Sequence, residues 1–194
     1  MKHLNKVFAG AAVLVLLTGC DLFKHSISAE KYQEKVDKLQ AHQYAEATVT
    51  VEEKIVGTGM YADSSTDTKE TAKFNWNSET NDWVAEDEAD TLMKYYIYTL
   101  QGKKVADVIA TPSGSDLEIK TTYYSNLEAK LDIKGSVRVE EIDMTVRYDK
   151  YQMNYKFDKY GYITSHKVVC NSSTTVGIES GTQNETRKIT VSYK

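Results

Sequence analysis

Proline is nearly absent from this chain, at one residue in 194, and there are only ten glycines and two cysteines. So little proline and glycine excludes a collagen-like or low-complexity chain, and two cysteines exclude a miniprotein stapled by several disulfides. Positive charge is not in excess either: 24 Lys+Arg stand against 28 Asp+Glu, for a net charge of −4. With no basic stripe along the chain, no nucleic-acid partner is expected. There is no apolar run long enough to cross a bilayer. A hydrocarbon core of about 30 Å needs roughly 20 apolar residues of helix, and the uncharged run from Val7 to Leu17 is about half that length.

Chemistry-bearing motifs are equally scarce. His3, His25, His42 and His166 fall at no metal-binding spacing, and no cysteine pair suits zinc. Neither a nucleophile elbow nor a phosphate-binding glycine loop occurs. Ser28-Ala29-Glu30-Lys31 matches the S-x-x-K pattern, but the elements that accompany it in β-lactamase-type enzymes are missing, and Ser28 is better placed as a helix cap. The acids Glu86, Asp87, Glu88 and Asp90 lack the spacing of a calcium loop. The expectation is a protein that is not an enzyme, with no catalytic residue, no metal and no cofactor.

What the chain does have begins at its N-terminus. Lys2 and Lys6 precede the Val7–Leu17 run, which has the length and flanks of a secretory signal. It ends in Leu17-Thr18-Gly19-Cys20, which is similar to the lipobox of bacterial lipoproteins. The resemblance implies cleavage after residue 19 and a lipid on Cys20, holding the mature protein on the extracytoplasmic face of the cell membrane. Two acyl chains bury enough carbon, at about 0.8 kcal/mol per CH₂, to make a lasting anchor. Loss of Lys2 and Lys6 with the signal leaves the mature chain more acidic. Cys170 then has no partner cysteine, and between Val169 and the polar Asn171 it reads as a small buried hydrophobe on a strand.

The mature sequence divides into a tether, residues 20–28, and one domain, residues 29–194. Ala29, Tyr32, Val36 and Leu39 recur at helical spacing and predict a helix over 29–41. A second stripe (Ala89, Leu92, Met93, Tyr96, Ile97, Leu100) predicts a helix over 83–101, with acids in its first turns. Elsewhere the period is two. Strands are expected around 47–52, 71–77, 117–123, 127–133, 142–148, 153–157 and 189–193, with polar loops at 63–68 and 174–186. Tyr148-Asp149-Lys150-Tyr151 recurs as Phe157-Asp158-Lys159-Tyr160, the step of hairpins in a meander, with Gly161 closing the second turn. The expected fold is therefore α+β: a curved antiparallel sheet of about seven to nine strands, a half-barrel, with two helices against its concave face.

That order of elements, with the Phe157-Asp158-Lys159-Tyr160-Gly161-Tyr162 turn, resembles the LolA/LppX-like envelope lipoproteins. The resemblance implies a hydrophobic cavity that holds a lipid or lipoprotein. Tyrosine is unusually common, at 14 against 4 Phe and 2 Trp. Its apolar ring and polar tip suit a pocket rim, and Trp76, Trp83, Tyr96 and Tyr155 are the candidate ligand-lining residues. Two functions are expected: binding of an apolar or amphiphilic ligand in the half-barrel, or a protein–protein interaction or inhibitor module of the cell surface without a cavity.

Overall fold

Strand-forming residues dominate this chain, and so does sheet. The computed structural model describes residues 25–109, 114 and 116–194. The expected signal segment and Cys20 lie outside them. Nine strands form one sheet: β1 (Ser26–Ile27), β2 (Glu46–Gly59), β3 (Thr66–Asn77), β4 (Asp82–Ala85), β5 (Asp116–Tyr124), β6 (Glu128–Val139), β7 (Met144–Phe157), β8 (Ile163–Val176) and β9 (Glu179–Tyr193). Two short α-helices, α1 (Ala29–Val36) and α2 (Val105–Val108), and 3-10 segments at Ala62–Ser64, Glu88–Tyr96 and Glu140–Ile142 complete the described elements. The strand order is β1-β5-β6-β7-β8-β9-β2-β3-β4 and every pairing is antiparallel. β1 and β4 are free edges, so the sheet is open. Two meanders, β2–β4 and β5–β9, are joined by the long β2–β9 ladder from Ala47–Tyr193 to Gly59–Gly181.

Opposed residues in an antiparallel ladder share a face, and successive residues alternate. One row across β5 to β3 reads Thr121, Leu131, Met153, Val168, Arg187, Glu53, Thr68. The adjacent row on the opposite face reads Thr122, Lys130, Asn154, Lys167, Lys188, Glu52, Lys69. The first face carries the core, with Leu131, Ile133, Tyr155, Ile189, Val49 and Phe74 almost fully buried. The second is polar and holds exposed pairs such as Lys69–Glu52 at 2.8 Å and Lys54–Asp67 at 3.2 Å.

α1 begins where Ser28 was expected to cap it: the Ser28 hydroxyl accepts the Lys31 N–H at 3.3 Å. Its buried Tyr32 and Val36 lie on the core face, Tyr32 with its ring 4.8 Å from that of Tyr123. A buried side chain of this size contributes about 2 kcal/mol. The helix stops at Val36 rather than residue 41. Lys38 and Leu39 donate to Lys35 and Val36, a tightening of the last turn that ends the α ladder. Within the expected tether, Ser26 and Ile27 pair with Tyr124 and Tyr123.

The helix expected over 83–101 does not form. Trp83 and Val84 suit a strand, and Asp82–Ala85 pairs with β3 instead, setting Trp83 opposite Trp76. Glu88–Tyr96 is a 3-10 segment, and Thr99 bridges to Tyr162. The period of three buries Met93 while Leu92 stays 75% exposed. Two further expectations change. Tyr148–Tyr151 is not a turn: Tyr148 faces Ser172 and Lys150 faces Asn171, so Asp149 is the extra residue of a bulge within one continuous β7. The polar stretch 174–186 is the β8–β9 hairpin. Its threonines and serines pair across the ladder, and Thr174 among them is buried.

Candidate functional site

The two ends of the core face are built differently. At the end nearest α1, aromatic side chains form a plug. Tyr44 stacks on Tyr193 at 4.8 Å, His42 stacks on Tyr160 at 4.1 Å, and Tyr162 packs edge-on against Tyr44 at 5.1 Å. The hydroxyls are satisfied. Tyr44 donates to Asp158 at 2.7 Å, Tyr162 to the His42 carbonyl at 2.9 Å and Tyr193 to the Ile163 carbonyl at 2.7 Å. The other oxygen of Asp158 accepts the Tyr160 and Tyr162 N–H groups, both at 2.9 Å. This is the Asp-Lys-Tyr-Gly turn, and Gly161 closes it at φ +83°.

Farther along the face the cover divides. The Glu88–Tyr96 segment lies over β2 and β3, α1 lies against β5, and Val105 and Ile109 are buried in the core. Between them two adjoining cavities open and share Arg187. One, of about 520 Å³, is lined by Tyr61, Val146, Tyr148, Tyr151, Met153, Tyr155, His166, Val168, Cys170, Ser172, Thr174, Gln183, Glu185 and Arg187. The other, of about 310 Å³, is lined by Val51, Glu53, Thr68, Glu70, Leu92, Met93, Tyr96 and Arg187. One wall of the larger cavity, on β7 and β8, is mainly apolar and aromatic, and the β9 wall is polar. Arg187 is held in a fork: its Nε lies 2.6 Å from Glu53 and its Nη2 3.0 Å from Glu185.

His166, Tyr155 and Cys170 are tuned toward their neutral forms. Burial, reinforced by Arg187, pushes the His166 imidazole down to about 4, and its Nε2 is buried with no hydrogen-bond partner among the described residues. Tyr155 stacks on that ring at 4.3 Å, and burial raises the Tyr155 hydroxyl to about 12. Burial, with Glu185 nearby, pushes the Cys170 thiol up, so it stays protonated. Cys170 is only 9% exposed, in agreement with its expected place on a strand in the core. His166 and Cys170 stand four residues apart on β8, about 13 Å along the strand, too far for proton transfer between them.

The four candidate lining residues separate. Tyr155 lines the larger cavity and Tyr96 the smaller one. Trp76 and Trp83 do not reach either. They pack on each other at 5.4 Å, with Trp83 leaning toward Tyr193 at the plug. Tyr148, Tyr151, Glu185 and Arg187 were not singled out from sequence. Their convergence depends on the β7 bulge and on pairing β9 with both β8 and β2, and neither leaves a local signal. Among the described residues no cluster of His, Cys, Asp and Glu is arranged to hold a metal, and no helix is long and apolar enough to cross a membrane. No protein-family model, curated protein or solved structure matches this chain.

Proposed function

We propose that this is a lipid-anchored protein of the bacterial envelope, on the extracytoplasmic face of the membrane, that binds an amphiphilic ligand without catalysing a reaction. The sheet acts as a half-barrel, with its core face concave and α1 and the Glu88–Tyr96 segment across it. The observation that carries this is a stretch of core face that no described residue covers, a cavity of about 520 Å³ with one largely apolar and one polar wall. A soluble domain without a ligand tends to cover such a surface. The neutral, well-separated His166 and Cys170 favour binding over catalysis. The lipid anchor rests on the Leu17–Cys20 motif. The chain enters the sheet at the end where Lys35, Lys38 and Lys159 surround a further cavity, a position that suits an anionic bilayer nearby.

Native mass spectrometry of the mature protein from cells tests both halves. Diacylglycerol on an N-terminal Cys20 together with a co-purified amphiphile is the expected result. A mature chain starting elsewhere removes the anchor, and a cavity that retains and takes up no amphiphile removes the ligand. Exposed Ile142 and Ile178, at the β6–β7 and β8–β9 hairpin tips, and exposed Met60 after β2 favour a second function, as an interaction module. Crosslinking at Ile178 that captures one protein, with an empty cavity, would select it.

A further inference from the structure

The bulge at Asp149 places Tyr148 and Tyr151, three residues apart, on the same face of β7. Their ring centroids are 5.2 Å apart and tilted by 38°, so they form two adjoining walls rather than a stack. Tyr61 joins them at the larger cavity, with Glu185 and Arg187 on β9, beyond β8 in the same sheet. Across both cavities the described lining residues include three carboxylates, Glu53, Glu70 and Glu185, and one guanidinium, Arg187. Arg187 is already engaged by Glu53 and Glu185. The lysines of the same strands, such as Lys188, Lys167 and Lys54, lie on the opposite face by register.

The larger cavity therefore offers aromatic faces and one carboxylate, Glu185, paired with Arg187, and the smaller cavity beside it adds Glu53 and Glu70, so the two together carry net negative charge. An anionic head would meet repulsion there, and an uncharged one would leave the charge excess unanswered. A cation gains from both the ring quadrupoles and the carboxylates. Val146, Met153 and Val168 provide apolar surface for methyl groups or a chain. We propose that the cleft binds an alkylammonium group, carried by a lipid headgroup or by a small free molecule, between the Tyr148–Tyr151 pair and Glu185. This rests on the cleft being the ligand site.

The test is calorimetric titration of the mature full-length protein with four probes: choline, its uncharged isostere 3,3-dimethylbutan-1-ol, lysophosphatidylcholine and lysophosphatidylglycerol, the lipids below their micelle concentrations. The choline-headed lipid should bind about tenfold or more tighter than the glycerol-headed one. Glu185→Gln and Tyr151→Leu should each erase most of that preference while circular dichroism and melting confirm the fold. Choline binding above its isostere identifies a free cation as sufficient, whereas binding of the lipid alone identifies the headgroup in its chain context, and either supports the proposal. Equal binding of both lipids, or an unchanged preference in both variants, overturns the alkylammonium site while leaving an amphiphile site standing. Binding of no probe overturns the two together.

Discussion

The same residue type does opposite work at the two ends of the core face. At the plug, Tyr44, Tyr162 and Tyr193 each direct a hydroxyl to a fixed acceptor, and their rings fill the space between strands. At the cleft, Tyr148 and Tyr151 form walls around a void. A tyrosine whose tip finds a backbone carbonyl or a carboxylate becomes a rigid strut, and one without such a partner stays available. What separates the ends is the supply of acceptors. Asp158 serves three donors at the plug, whereas at the cleft the carboxylates of Glu53 and Glu185 are turned to Arg187.

The contrast predicts where the molecule is fragile. Asp158→Ala should be the most damaging change, at about 3 kcal/mol, because one tyrosine hydroxyl and two N–H groups lose a charged acceptor together. Urea denaturation measures this, and Asp158→Asn should recover part of it. At the cleft the weak point is acid. The His166 imidazole is held near 4 in the fold against its ordinary 6.5. The unfolded chain then takes up a proton that the fold refuses, so this contribution to stability is complete above about pH 6.5 and is lost as pH falls toward 4. The full loss is roughly 3 kcal/mol. Denaturation midpoints of wild type and His166→Gln across that range should converge as pH falls, and parallel curves would count against the mechanism.

Smaller effects sharpen the comparison. Gly161→Ala should lose about 2 kcal/mol. Its φ of +83° is strained for alanine, and the added carbon would sit 2.6 Å from the Leu39 side chain. Thermal melting should show it. Removing single hydroxyls should give opposite signs. Tyr193→Phe should lose about 1 kcal/mol with its hydrogen bond, whereas Tyr32→Phe should be neutral or slightly stabilising, because the Tyr32 hydroxyl is buried without a partner among the described residues. Equal losses in the two variants would show that the hydroxyls do not divide this way. Ile178→Ser, at a fully exposed hairpin tip, should stay within about 0.5 kcal/mol of wild type.

Much of this fold was legible in alternation alone. Leu131 and Ile133 read as one face of a strand and are buried together, and Ser28 and Gly161 read as a cap and a turn closer and act as such. Alternation fails where backbone geometry changes without a change in residue type. The two Asp-Lys-Tyr segments look alike, yet only the one followed by Gly161 can reach positive φ and turn, so the other stays in β7 as a bulge. Residues 83–101 carry a helical stripe, but pairing Trp83 with Trp76 outweighs it. Of the candidate lining residues, Tyr96 and Tyr155 reach the cavities and the tryptophans do not, because ring size identifies a good packer without telling which end of the sheet it serves.

The open edges of the sheet have a consequence for its neighbours. β4 covers β3 only from Phe74 to Asn77. The rest of that margin, Thr66 to Lys73, is polar and charged apart from Ala72. A strand from another copy, sliding in sideways, would have to pack against charged and polar side chains with almost no apolar surface to bury. Fibril growth is therefore discouraged at this margin by its own residues, and molecules crowded together can stay separate.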